Sequence, residues 1–236
     1  INMMVGGTTH IKVNTLIVKT LLSLNAVATS VGGAYGEGEN LVDLSNVTIE
    51  LDGGAITATS SPAKRNVKEV KVIGGVNAVS GVILQGHKLT VEDGTLTATN
   101  VKFNASDVVE VKEGAVLNIN DSGKTNVHFA SLTVDGSANV NIYGSTIDAV
   151  VVNKNAELNV LEGAQVVWTN KCDLKGTTSG IIARGAKNAT ELESLIALAG
   201  TNYPVYLAGN LNLSDADVLY SSNNVIINLN GTTLSL

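Results

Sequence analysis

The segment LDGGAITATS at residues 51–60 returns as VEDGTLTATN at residues 91–100, without a gap and at a spacing of 40. Three related segments follow it, namely EGAVLNIN at 113–120, GSANVNIY at 136–143 and KNAELNVL at 154–161. When the units are aligned on Thr95, Ala115, Ala138 and Ala156, the successive spacings are 20, 23 and 18. A spacing of 40 then corresponds to two units. Self-similarity at such a period is typical of solenoid folds.

Each unit contains two short segments in which apolar and polar residues alternate, such as VVEVK at 108–112 and VLNIN at 116–120. Alternation with a period of two predicts a strand with one buried face. A unit of about 20 residues with several strands has the size of one coil of a parallel β-helix. We therefore predict an all-β chain, a parallel β-helix (β-solenoid). A β-sandwich is the alternative, but its strands seldom repeat in sequence at a fixed step.

The composition agrees with a solenoid and excludes several classes of function. Aromatic residues make up only 3% of the chain, so the core must be aliphatic. Charged residues make up 15%, the net charge is −6, and Arg65 and Arg184 are the only arginines. A nucleic-acid interface requires clustered lysine and arginine, so we predict no nucleic-acid partner. No apolar run is long enough to span a bilayer, so we predict no membrane insertion.

The two ends of the chain are similar to each other. Residues 46–57 read NVTIELDGGAIT and residues 224–235 read NVIINLNGTTLS, in frame at a spacing of 178. We divide the chain into three parts: residues 1–45 as an N-terminal cap or leading segment, 46–187 as solenoid coils, and 188–236 as a helix plus strands that resemble the start of a second block. Because residue 1 is Ile, we expect the chain to be a processed product or a fragment.

A short amphipathic helix is predicted near residues 189–199. Asn188 or Thr190 is suited to cap its N-terminus, and Gly200 is placed to end it. Its apolar face comprises Leu192, Leu195, Ile196 and Ala199. Residues 13–24 are a weaker candidate, either for a helix or for a strand.

This helix, followed by VYLAGNLNLS at residues 205–214, resembles the right-handed parallel β-helix proteins of the pectin-lyase-like group. In that group a short helix often covers the first coil. A looser resemblance links the chain to passenger and surface-layer solenoids of prokaryotic cell surfaces, which implies an extracellular, cell-surface location. Enzymes of the group generally use acidic Ca²⁺ ligands and a basic residue on one face. Neither arginine lies beside an Asp pair, so we predict no enzyme and no catalytic residue.

Other candidate site residues give weak signals. The best Ca²⁺ candidate is Glu37, Glu39 and Asp43, which lack the spacing of a known loop, so we expect no cofactor but leave Ca²⁺ open. His10, His87 and His128 have no metal-ligand spacing. Asp52 and Glu92 would lie two coils apart and are interpreted as solvated turn acids. The basic stretch at 60–71, with Lys64, Arg65, Lys68 and Lys71, is interpreted as a loop or as a contact for an acidic polymer or a neighbouring subunit.

The remaining candidates are single side chains. Cys172 is interpreted as a small core residue, with a nucleophile or an intermolecular disulfide as the alternative. Trp168, Tyr143 and Tyr203 are candidates for sugar stacking, although Trp168 is equally suited to cover the core.

The sequence ends in a strand-like segment, TTLSL, and an open solenoid edge is a template for further strands. We therefore predict head-to-tail self-assembly into a filament, sheath or surface layer. The interface would contain Val225, Ile227, Leu229, Leu234 and Leu236. The alternative is that the sequence is cut within a longer chain. The expected function is structural or adhesive, with cell-wall polysaccharide as a further partner. A polysaccharide-binding module or degenerate polysaccharide lyase is the second reading, and ice binding is a third, based on only two Thr pairs.

Overall fold

The computed structural model describes residues 14–24, 44–58, 66–101, 103, 105–119, 128–143, 145–162, 164–198, 204–214, 224–229 and 231–235. They form a β-solenoid of about seven turns, with a coil length of about 21 residues and a single short helix. The predicted fold class is confirmed. The helix, α1, spans Ala189–Leu198.

The strands, in chain order, are β1 Thr15–Val18, β2 Leu21–Leu24, β3 Leu44–Asp52, β4 Ala55–Ala58, β5 Asn66–Ser80, β6 Ile83–Thr99, β7 Val108–Val111, β8 Val116–Ile119, β9 His128–Val134, β10 Asn139–Ile142, β11 Ser145–Val152, β12 Glu157–Val160, β13 Gln165–Leu174, β14 Thr177–Ser179, β15 Ile181–Ala186, β16 Val205–Leu207, β17 Leu211–Asn212, β18 Ile227–Asn228 and β19 Leu234–Ser235. Of the two alternatives for residues 13–24, the described part forms strands and not a helix.

Each strand pairs in parallel with the equivalent strand of the next coil. Face A contains β1, β3, β7 and parts of β5, β6, β9, β11 and β13. Face B contains β2, β4, β8, β10, β12, β14 and the last parts of β5 and β6. Face C contains the first residues of β9, β11 and β13, and β15.

Equivalent residues form rows along the solenoid axis. One inward row of face A is Val18, Leu51, Val72, Val91, Val111, Val134, Val152 and Leu174. From Leu51 onward, each member of the row follows the previous one after a single coil. All are buried except Leu174, which is 40% exposed. Because every coil supplies an aliphatic side chain at the same place, the rows merge into one continuous core, as the scarcity of aromatics predicts.

The corner between faces A and B is a tight turn that recurs from coil to coil. The backbone N–H of Ala115 donates to the carbonyl of Lys112, and Ala138 and Ala156 make the same bond to residues three positions earlier. Gly114 and Asn155 adopt positive φ in these turns, which glycine and asparagine tolerate best. The three alanines are fully buried, so the turn requires a small residue there.

The sequence alignment at a spacing of 40 holds on face A but is shifted on face B. Leu51 and Val91 lie in the same row, as aligned. Ile56, however, lies in a row with Val79 and Ala98 rather than with Leu96. The shift of two residues keeps every side chain on its own side of the sheet. It arises where β3 and β4 pair with β5, because β5 has two more residues between Val72 and Val79 than the segment from Leu51 to Ile56 has.

Asn77 stabilises this irregularity from within the core. It is only 2% exposed, and its Oδ1 accepts a hydrogen bond from the backbone N–H of Gly54 at 2.9 Å. Its Nδ2 donates to the carbonyl oxygens of Gly74 at 2.8 Å and Thr95 at 3.2 Å. Because both the oxygen and the nitrogen of this amide are hydrogen-bonded, its burial costs little free energy. Its removal would leave buried backbone groups without a partner and would destabilise the fold.

A second, smaller core lies beyond the solenoid, between α1 and the last strands. Leu192 and Ile196 of α1 are buried there with Val205, Leu207 and Leu211. The backbone N–H of Glu191 donates to Asn188 Oδ1 at 2.9 Å, so Asn188, one of the two predicted caps, begins the helix. Pairing continues in parallel from β15 to β16 and β18, and from β17 to β19.

We expect Leu117→Ala to lower the free energy of unfolding by about 2–5 kcal/mol, because it opens a cavity in a fully buried row. The neighbouring Val116→Ala, on the outer side of β8, is the control and should cost less than about 1 kcal/mol. Urea unfolding followed by circular dichroism measures both. Equal losses for the two variants would contradict the assigned inward and outward sides of β8.

Candidate functional site

The outward side of face A carries a ladder of charged side chains. Lys88 Nζ lies 3.0 Å from a Glu110 carboxylate oxygen, and Lys112 Nζ contacts that same oxygen at 3.0 Å. Lys112 also pairs with Asp135 at 3.1 Å, and Asn153 Nδ2 donates to Asp135 at 2.7 Å. The ladder therefore links four coils. Half-exposed pairs of this kind contribute only about 0–1 kcal/mol each, so its main effect is to fix side-chain positions.

The charges in this ladder shift one another's pKa values in the direction that favours ionisation. Burial alone would raise the pKa of Glu110, but hydrogen bonds from Lys88 and Lys112 lower it below its ordinary value. Hydrogen bonds to Glu110 and Asp135 raise the pKa of Lys112. Both shifts favour the charged forms of Glu110 and Lys112.

The outward side of face B carries a ladder of amides instead. Asn141 Nδ2 donates to Asn118 Oδ1 at 2.8 Å, and Asn159 Nδ2 donates to Asn141 Oδ1 at 3.1 Å. Ser179 Oγ then donates to Asn159 Oδ1 at 2.9 Å. The bonds all run in one direction along the axis, and Thr97 precedes Asn118 in the row.

Face B is almost free of charge on its outer side, in contrast to face A. Its outward rows in the six coils from β4 to β12 contain one acidic residue, Glu157, among amide, hydroxyl and small apolar side chains: Ala55, Thr57, Val76, Ala78, Ser80, Thr95, Thr97, Thr99, Val116, Asn118, Asn139, Asn141 and Asn159. Parallel strands stack in register along this surface.

A polar cluster surrounds Asp148, at a register irregularity between β11 and β13. Asp148 Oδ1 accepts hydrogen bonds from Thr169 Oγ1 at 2.6 Å and from Lys187 Nζ at 2.6 Å. His128 Nε2 lies 3.2 Å from the same oxygen. The four residues come from four successive coils, and Lys187 immediately precedes the cap of α1. The cluster therefore joins the solenoid to the segment that begins the second core.

Burial alone would raise the pKa of Asp148, but hydrogen bonds from Lys187, Thr169 and His128 lower it below its ordinary value. The carboxylate is therefore ionised near neutral pH and already bonded. The contacts to Oδ1 connect Asp148 with residues of three other coils, so we interpret it as a structural anchor. The sequence analysis missed this cluster, although the steps from His128 to Asp148 and from Asp148 to Thr169 match the coil length.

Several predicted site residues lie outside the described residues, namely Glu37, Glu39 and Asp43, and also His10, Lys64, Arg65 and Tyr203. The Ca²⁺ candidate therefore stays a prediction. His87 lies in β6, and Tyr143 is half-buried after β10. Within the residues that the structure describes, no group of three or more His, Cys, Asp or Glu side chains is arranged to hold a metal ion.

Asp52 and Glu92 lie two coils apart, as predicted, and each has a lysine partner. Lys19 Nζ is 2.9 Å from Asp52, and Lys71 Nζ is 3.1 Å from Glu92. The interpretation of 60–71 as a loop is wrong for residues 66–71, which begin β5. Buried valines on one side of the segment hold it in the sheet. Lys68 is exposed there.

Cys172 lies in an inward row of face A next to Val150, but it is only half-buried, since it belongs to the last coil of that face. Burial raises the pKa of its thiol, and the charge of Asp173 raises it further, which disfavours a reactive thiolate. Trp168 packs against the solenoid core from its edge. The Arg184 guanidinium stacks over the indole at 5.6 Å, so this ring has a structural partner.

The structure places four of the five predicted interface residues. Val225, Ile227 and Leu234 are half-buried against the second core, and Leu229 is 43% exposed. Leu236 lies outside the described residues. Ile226, which the sequence analysis did not include, is 62% exposed.

Comparison with known proteins gave no match: no family model matches the chain, and neither the curated proteins nor the solved structures showed significant similarity. The resemblance to the pectin-lyase-like group therefore stays a prediction. Among the described residues, no helix is long and apolar enough to cross a membrane.

We expect Asp148→Asn to lower the free energy of unfolding near neutral pH by roughly 1–2 kcal/mol, because it removes a charged hydrogen-bond acceptor. The folded pKa of Asp148 is lowered, so its stabilisation is complete above the ordinary carboxyl pKa and is lost as the pH falls through the lowered value. The difference between wild type and variant should therefore shrink from about pH 6 to about pH 2 in urea titrations. The exposed Glu113→Gln is the control, and a difference for Asp148→Asn that does not change with pH would contradict the anchor.

Proposed function

We propose that this chain is a non-enzymatic structural protein of the cell surface, a stiff solenoid that associates with copies of itself through residues 224–235. The observation that carries the proposal is the exposure of aliphatic rows on the last coil, formed by β18 and β19. The ladders of faces A and B support a structural role, because their side chains bond one another from coil to coil. The extracellular location rests on the resemblance to surface solenoids.

The side chains in these rows are more exposed than those in the similar segment at 46–57, in which Leu51 and Ile56 are fully buried. At the matching positions of the second copy, Leu229 is 43% exposed and Leu234 is half-buried. Exposed aliphatic side chains of this kind favour association.

The C-terminal end of the solenoid coils, at β14, has a different composition. Thr178 continues the inward row of Leu117, Val140 and Leu158 and is exposed. Its neighbours Thr177 and Ser179 are exposed as well. A polar terminal coil is how solenoids keep their ends soluble. The aliphatic residues of β18 and β19 lack this feature, so we assign the self-association to them.

We expect Leu229→Lys to shift the chain toward monomer, because it places a charge in the apolar rows. Leu174→Lys is a matched control, since Leu174 is 40% exposed in the last coil of face A. Light scattering over a concentration series, with negative-stain electron microscopy, measures the assembly. A wild-type chain that is monomeric at every concentration would refute the proposed function.

A second candidate function is the binding of a neutral polysaccharide, which the flat, nearly uncharged side of face B favours. Asn141 and Asn159 each donate one N–H along the row, and an amide group carries a second N–H. Such groups match the hydroxyls of an uncharged glycan, whereas the lysine and carboxylate ladder of face A does not.

If face B binds glycan, Asn141→Ala should weaken binding about five- to tenfold, which corresponds to roughly 1 kcal/mol. Ser131→Ala on face A is the control. The affinity of each variant is measured as its depletion from solution by insoluble neutral glycans, with and without Ca²⁺. Equal binding by both variants, or binding only in the presence of Ca²⁺, would contradict glycan binding by the amide ladder.

A further inference from the structure

The outer side of face B carries two apolar side chains beside the amide ladder. Just after β10, the backbone N–H of Tyr143 donates to the carbonyl of Ile119 at 3.2 Å, and just after β12, that of Leu161 donates to the carbonyl of Ile142 at 2.9 Å. These bonds hold both residues in line with the strands that precede them. Because side chains alternate along a strand, both lie on the outer side of the sheet, as Asn141 does.

The burial of the two side chains agrees with this placement. Tyr143 and Leu161 are half-buried, whereas Ile142 and Val160, which directly precede them on the inner side, are buried. Several half-buried hydrophobic side chains of the described residues pack against the main core, and neither Tyr143 nor Leu161 is among them. We refer to Tyr143 and Leu161 as the apolar strip.

The apolar strip runs parallel to the amide ladder, along the solenoid axis. Tyr143 and Leu161 come from neighbouring coils, as Asn141 and Asn159 do. Neighbouring strands are separated by about 4.8 Å, and residues two positions apart in one strand by about 7 Å. Face B therefore presents a row of hydrogen-bonding amides and, about 7 Å to one side of it, a row of apolar side chains.

A third row, on the other side of the amide ladder, contains the acidic residue of this face. Asn139 Nδ2 donates to Glu157 Oε2 at 2.6 Å, and Glu157 is exposed. These residues stand two positions before Asn141 and Asn159. A carboxylate accepts hydrogen bonds from hydroxyl groups and repels anions. The three rows together favour a ligand that is uncharged, rich in hydroxyl groups and apolar on one side.

A sugar whose hydroxyl groups and linkages are all equatorial has this chemistry. The faces of its ring expose C–H groups, which pack on aromatic and aliphatic side chains, and its edges expose hydroxyls, which bond to amides and carboxylates. A β-1,4-linked chain of such sugars is extended, and each sugar advances it by a distance close to the spacing of one coil, about 4.8 Å. An α-1,4-linked chain curves away from a straight row.

From this arrangement we propose that face B binds a linear, neutral β-1,4-linked glycan along the solenoid axis, with one sugar per coil and one sugar ring stacked on Tyr143. The proposal rests on the second candidate function, glycan binding by face B, and names its ligand and its main contact. The polar row that contains the amide ladder runs from Thr97 to Ser179 through five coils, which corresponds to about five sugars.

Tyr143 is also the described aromatic side chain that is best placed for such a contact. Among the described aromatic residues, only Tyr143 and Trp168 are not buried. Trp168 packs against the core and stacks with Arg184. Tyr143 therefore provides the ring that the amide ladder lacks.

Isothermal titration calorimetry with soluble β-1,4-linked glucose oligosaccharides of increasing length tests this inference. We expect the affinity to rise with length up to about five sugars, because each coil adds a contact. Tyr143→Ala should weaken binding about tenfold, because it removes the stacked ring. Tyr143→Phe keeps the ring and should bind like the wild type, as should the control Ser131→Ala on face A. The α-1,4-linked oligosaccharides of the same sugar should bind about tenfold more weakly.

The outcomes separate this inference from the candidate function on which it rests. Equal affinity for the two linkages would overturn it and leave glycan binding by face B standing, and so would binding that Asn141→Ala weakens and Tyr143→Ala does not. No binding to soluble or insoluble neutral glycans would overturn both. A dimeric mass by light scattering that Tyr143→Ala abolishes would show that a second copy covers the apolar strip, and would also overturn the inference. Circular dichroism of each variant checks that the fold is retained.

Discussion

The parallel pairing of each coil with the next is the constraint on which the rest of this structure depends. Its backbone hydrogen bonds set equivalent residues side by side, so a row is buried only if every coil supplies an aliphatic residue to it. Valine, leucine and isoleucine meet this requirement along face A. Coils of unequal length are tolerated because the differences fall in turns and register irregularities, which leave the rows in line.

The same register arranges the polar surface. Side chains one coil apart are the natural bonding partners, which is why amides follow amides on face B and lysines alternate with carboxylates on face A. Asp148 lies where the register is interrupted, and there four coils converge on one carboxylate. These networks link neighbouring coils along the outer surface of the solenoid.

A solenoid has strand edges that a closed barrel lacks, and the edges of this chain carry different side chains. At the β13–β14 end, the row that ends at Thr178 finishes in a hydroxyl side chain and the row that ends at Leu174 stays aliphatic. In the coil of β18 and β19, Leu229 is 43% exposed.

The sequence by itself determined the repeat, the alternating strands and the coil length, because each depends on residues close together in the chain or on one period. It left Asn188 and Thr190 as alternative helix caps, and the structure shows that Asn188 is the cap. The sequence also contained the amide ladder, since Asn118, Asn141 and Asn159 occupy the same place in the quoted repeats. Only the tertiary structure decided the two-residue shift at β5, since a shift of two preserves the alternating pattern. It also decided the cluster at Asp148 and the exposure of each edge, because these depend on which coils lie side by side and what covers them.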